Sequence, residues 1–112
     1  MLQRVHVQIL DNPHEELLYN WDEFGTPLTN REIAEELKKE MDYFYPSLVF
    51  VEYIDLFTDE EEGFGEIREL LRVGAIDTPI VLINGTIRTY GNISSSVIKK
   101  EVEKLLSLGP IH

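Results

Sequence analysis

TPIVLINGTIRTYG, Thr78 to Gly91, reads as a buried strand, a two-residue turn and a returning strand. Pro79 fixes its own φ and has no N–H, so it suits the start of a strand. Ile80, Val81, Leu82 and Ile83 form an apolar, mostly β-branched run of the kind covered on both faces of a sheet. Asn84-Gly85 tolerates the positive φ that a two-residue hairpin turn demands. Thr86 to Tyr90 can then return antiparallel, and Gly91-Asn92 breaks the strand.

Downstream, Ser94 or Ser95 caps a last helix with Ile98, Val102, Leu105 and Leu106 on one stripe, stopped by Gly109-Pro110. Upstream, Thr58 to Gly74 predicts a helix. Thr58 and Glu61 are spaced as a capping box, Asp59 to Glu62 suit the dipole of a first turn, and Gly74 suits the C′ position. Gly63 and Gly65 weaken that first turn. Leu48 to Phe57 reads as a strand apolar on both faces, with only Glu52 and Asp55 polar.

Thr29 to Phe44 is the clearest helix. Thr29 and Glu32 are spaced as a capping box, and Leu28 and Ile33 as a hydrophobic staple. Ile33, Leu37 and Met41 share a stripe beside Ala34 and Phe44. The aromatic run Tyr43 to Tyr45 is expected to pack under the end of this helix. Arg4 to Leu10 alternates loosely, as a strand with one core face does. Asp11 to Leu28 is long for a connection. Asn12-Pro13-His14-Glu15 resembles a helix start and predicts a short helix through Tyr19. Trp21, Phe24, Gly25 and Pro27 read as a loop with aromatic anchors.

The order is βαβαββα. The first two strands run parallel through a right-handed crossover. The hairpin adds two antiparallel strands, giving an α/β fold with a four-stranded mixed sheet. Thr86–Tyr90 is expected on one edge and Leu48–Phe57 on the other.

At 112 residues the chain is expected to form one domain, residues 1–112. Acidic residues outnumber basic ones by 21 to 10, and the net charge is −11. That argues against a nucleic-acid partner and against an anionic membrane surface. With no long apolar run and no secretory leader, a cytoplasmic location is expected. There is no cysteine, so thiol–disulfide exchange, thiolate nucleophiles and cysteine metal sites are excluded. His6, His14 and His112 have no metal-ligand spacing, Asp59 to Glu62 lacks the alternation of a calcium loop, and the glycines form no phosphate-binding loop. No catalytic residue, cofactor or metal is expected.

Thr78-Pro79 ahead of the buried strand, the segment INGTIRTYGNIS and the overall order together resemble the thioredoxin superfamily. VEYIDLF, with the hairpin and last helix downstream, is similar to a small bacterial family assigned as thioredoxin-like disulfide oxidoreductases. That likeness spans roughly Leu48 to Leu106. The resemblance implies a three-layer sandwich and a cis Thr78–Pro79 bond. It also places a redox site within DNPHEELLYNWDEFGTPLT, Asp11 to Thr29, where no cysteine occurs. Trp21-Asp22-Glu23-Phe24 has the spacing of a CxxC motif without its chemistry.

The leading expectation is therefore a non-redox thioredoxin-like domain that binds a protein or peptide. The surface is expected at Thr78 and Pro79, where backbone groups can pair with an extended segment. Trp21 and Phe24, with Leu17, Leu18 and Tyr19, either extend that surface or pin the long connection onto the core. The alternative is an enzyme or small-ligand protein using the groove beside Pro79, as glutathione sites on this fold do. That would need a basic residue nearby, and only Arg88 and Arg72 lie close in sequence. A third reading is a purely structural relic. A homodimer is expected to hide the apolar edge strand Leu48 to Phe57.

Overall fold

The computed structural model describes residues 4–12, 20–21, 27–56 and 64–107. Among the described residues nine elements follow in order: β1 (Val5–Asp11), β2 (Asn20–Trp21), β3 (Pro27–Leu28), α1 (Asn30–Phe44), β4 (Val49–Asp55), α2 (Gly65–Arg72), β5 (Ile80–Ile83), β6 (Thr86–Tyr90) and α3 (Ser95–Ser107). Setting aside the two-residue strands β2 and β3, the order is βαβαββα. The main sheet has the order β4-β1-β5-β6. β1 and β4 are parallel, with Val5 opposite Val49 through Asp11 opposite Asp55. β5 is antiparallel to both β1 and β6. This is the thioredoxin-like sandwich, with β6 and β4 at the two edges as expected.

The layers follow from side-chain alternation. Val5, Val7 and Ile9 of β1 join Val81 and Ile83 of β5, Ala34, Leu37 and Met41 of α1, and Ile98 and Val102 of α3. Leu10, Ile80 and Leu82 point the other way and join Phe64 and Ile67 at α2. β5 is buried at all four positions, as its unbroken apolar run predicts for a strand with helices on both sides.

The helix ends follow local chemistry. Thr29 accepts from the Glu32 N–H at 3.1 Å, and Glu32 Oε1 accepts from the Thr29 N–H at 3.2 Å, a complete capping box. Ser94 caps α3 by accepting the Val97 N–H at 3.4 Å. At the end of α2, Gly74 lies at φ 79° and its N–H reaches Leu71 O at 3.1 Å. The Ala75 N–H reaches Leu70 O at 2.9 Å. The pair makes a Schellman motif that satisfies two carbonyls left over by the helix. In the hairpin, Asn84 and Gly85 both adopt positive φ, 51° and 83°, the turn whose twist matches the flanking strands.

Three expectations change. Helix α2 begins at Gly65 with Phe64 at its N-cap and no side-chain cap; the capping box expected of Thr58 and Glu61 lies outside the described residues, as does the short helix expected through Tyr19. Trp21 and Pro27 are not plain loop but face each other in the β2–β3 ladder. Tyr43 and Phe44 do not pack under α1: they are 79% and 62% exposed and meet edge to face at 5.0 Å. Of the three only Tyr45 packs against the core: Tyr43 lies opposite the stripe of Ala34, Leu37 and Met41, and Phe44, the last residue of α1, is exposed although its phase is close to that stripe.

Candidate functional site

The parallel strands β1 and β4 end at Asp11 and Asp55, and α1 begins at that same end of the sheet. β5 runs the opposite way, so its first residues also lie there: Leu10 is opposite Ile80, which sets Thr78-Pro79 beside Asp11. Open α/β sheets bind ligands at the C-terminal ends of their parallel strands, where loops and helix N-termini converge. Asp11, Asn30, Tyr53, Thr78 and Pro79 thus share the end of the sheet at which this fold presents a site.

Asp11 is 1% exposed. A buried carboxylate requires partners, and it has them on two elements, β4 and α1, while its backbone carbonyl is engaged as well. The Tyr53 hydroxyl donates to Oδ2 at 2.7 Å, the Asn30 amide donates to Oδ1 at 3.3 Å, and the Asp11 carbonyl accepts the Leu56 N–H at 2.9 Å. The guanidinium of Arg31 stacks over the Tyr53 ring, 5.1 Å from its centroid. Burial, reinforced by the bond to Asp11, pushes the Tyr53 phenol well above its usual value; Arg31 opposes this more weakly. Both carboxylate oxygens are engaged, so Asp11 is arranged as an anchor between β1, β4 and α1.

Thr78 is half-buried and Pro79 is buried, and the bond between them is cis. The Pro79 carbonyl accepts the Gly91 N–H at 2.9 Å, which Asp77 O shares at 3.1 Å. Among the described residues, nothing bonds to the N–H or the C=O of Thr78. Trp21 is placed by its backbone in β2 opposite Pro27, and Phe24 lies outside the described residues, so the patch expected of that pair does too. The two arginines near the hairpin do not converge on Pro79. Arg72 is bound by Glu69 through a 2.9 Å bond and a second, shorter one. Arg88 is the extra residue of a bulge on β6, where Val81 faces Thr89 and Leu82 faces Ile87. Two other basic groups lie at the strand ends, neither singled out by the sequence: Arg31 over the Tyr53 ring, and Arg68, whose Nη1 donates to Leu56 O at 2.7 Å.

The described residues hold no group of three His, Asp or Glu side chains suited to a metal. No described helix is long and apolar enough to cross a membrane. With no cysteine anywhere in the chain, this end of the sheet cannot carry out thiol–disulfide exchange. An insulin-reduction assay with dithiothreitol is expected to show the rate of the buffer control. Acceleration proportional to protein concentration would contradict that.

No protein-family model matches the chain, and no curated protein matches it. Among solved structures it is similar to a Staphylococcus aureus protein of unknown function, with a TM-score of 0.70 at 18% identity. The match covers 95% of this chain and 94% of the other. The likeness is one of fold: a cysteine-less thioredoxin-like domain here, and a crystal structure of the same architecture there.

Proposed function

We propose that this chain is a non-redox binding domain that takes an extended peptide segment beside Thr78. The observation that carries the reading is the unpaired backbone of Thr78 among the described residues. It lies just ahead of two places where pairing is complete, the Gly91–Pro79 bond toward β6 and the Leu10–Ile80 register toward β1. A bare donor and acceptor on a half-buried residue are satisfied by one residue of an incoming strand, as in other cases of recognition by strand addition. Burial of Pro79 and the anchoring of Asp11 by Tyr53 and Asn30 hold the neighbouring backbone in place, which lowers the ordering cost of binding. The net charge of −11 favours a neutral or basic segment over an acidic one.

Peptides selected from a displayed random library provide the test, with hydrogen exchange at single amides as the readout. The Thr78 amide is expected to exchange freely in the unbound protein and to slow at least about tenfold when peptide saturates it. Selected peptides that leave Thr78 exchange unchanged, or a library that yields no binder, would refute the reading.

A further inference from the structure

We propose that two copies of this chain associate about a two-fold axis through β4, joining their sheets edge to edge and setting their α1 helices side by side. The first observation is the state of the edge. The Val5 N–H donates to Leu48 O and the Leu56 N–H to Asp11 O, so the even-numbered residues of β4 turn their backbone groups toward β1. In a parallel ladder the odd-numbered residues then turn theirs outward. Val51 and Tyr53 therefore present N–H and C=O to an edge along which no described strand lies. β4 carries no proline and no bulge, and Phe50 on it is 47% exposed. The opposite edge is blunted in the way natural sheets usually are, by the bulge and charge at Arg88.

The second observation selects a second copy as the occupant. One flank of α1 carries Glu40, which pairs with Lys99 of α3. The other flank faces the open edge: Glu35 and Lys38 line a shallow groove of about 270 Å³ with Ala34, Val51, Tyr53 and Glu52, the last held by His6 and Gln8, and Arg31 lies over Tyr53. Along that flank the exposed residues Arg31, Glu35, Lys38 and Asp42 fall on one helical stripe and alternate in sign. An antiparallel copy of the stripe sets Arg31 against Asp42 and Glu35 against Lys38, so every contact is between opposite charges. A two-fold axis at Val51 gives β4 the same antiparallel sense, with Val49 facing Tyr53 of the second copy. Strands joined across that axis lie about 4.8 Å apart, so the two helices reach the roughly 8–10 Å of ordinary helix packing when each axis is set back about 2 Å from the shared edge. The charge of −11 on each copy opposes association, but at 0.15 M salt charges are screened beyond about 8 Å, leaving the local pairs to decide.

Sedimentation equilibrium at 0.15 M salt is the test. The wild-type chain is expected to show twice its 13.0 kDa mass at micromolar concentration. Lys38→Glu sits on the surface and leaves the fold intact, as circular dichroism will verify. It places like charges at two contacts per dimer and is expected to weaken association at least about tenfold. Adding Glu35→Lys to it reverses the stripe to two positive residues followed by two negative ones, which is again self-complementary, and is expected to restore the dimer. A 13.0 kDa species at all concentrations would overturn the proposal. So would a dimer indifferent to Lys38→Glu, or one that the double exchange fails to recover.

Discussion

Asp11→Ala is expected to destabilise the fold by about 2–3 kcal/mol, because hydrogen bonds to a charged group contribute about 1.5–3 kcal/mol and the donors are left in place. The Tyr53 hydroxyl and the Asn30 amide both lose their acceptor within a buried site. Tyr53→Phe removes the same bond from the other side. The two changes should couple, with a double mutant less destabilised than the sum by about 1 kcal/mol or more. The pH dependence has a definite sign. The folded state favours the neutral phenol of Tyr53. That stabilisation is therefore complete below the unfolded value near pH 10 and is lost as pH rises beyond it, where the unfolded chain ionises first. Urea unfolding from about pH 8 to pH 11 should show stability falling more steeply in the wild type than in Tyr53→Phe. An Asp11→Ala protein with the wild-type midpoint would show that the carboxylate anchors nothing.

Leu37→Ala is expected to cost about 2–5 kcal/mol, from lost burial and the cavity left behind. Leu37 is 1% exposed and packs in the layer between the sheet and helices α1 and α3. Ile80 is fully buried in the other layer, against α2. Ile80→Val removes one methylene there and should cost about 0.5–1.5 kcal/mol. The sheet separates the two sites, so the double mutant should equal the sum to within about 0.5 kcal/mol. The milder change is chosen for Ile80 because total stability for a fold of this size is only about 5–15 kcal/mol. A coupling larger than about 1 kcal/mol would mean that the two layers repack together rather than behave as separate cores.

What the sequence determined by itself is what short-range physics governs. The turn at Asn84-Gly85, the capping box of Thr29 and Glu32, the cap at Ser94 and the C′ glycine at Gly74 each involve residues within a few positions of one another, so residue type and spacing suffice to read them. The buried status of β5 was legible because four consecutive apolar residues leave no face for water. From that pattern the βαβαββα order and both sheet edges followed, and the absence of cysteine removed thiol–disulfide exchange whatever the fold. The polar anchor was not legible. Asp11, Asn30 and Tyr53 stand 19 and 42 positions apart, and nothing local distinguishes Asp11 from Asp55 or Tyr53 from the apolar residues around it. The ladder between Trp21 and Pro27 and the exposure of Tyr43 and Phe44 were hidden for the same reason. A two-residue strand has no periodicity to detect, and the phase of a helix near its end depends on the surface beneath it. Tertiary structure alone decided which end of the sheet carries the anchor and Thr78 together, because that juxtaposition arises only when β5 runs antiparallel to β1 and α1 returns along β4.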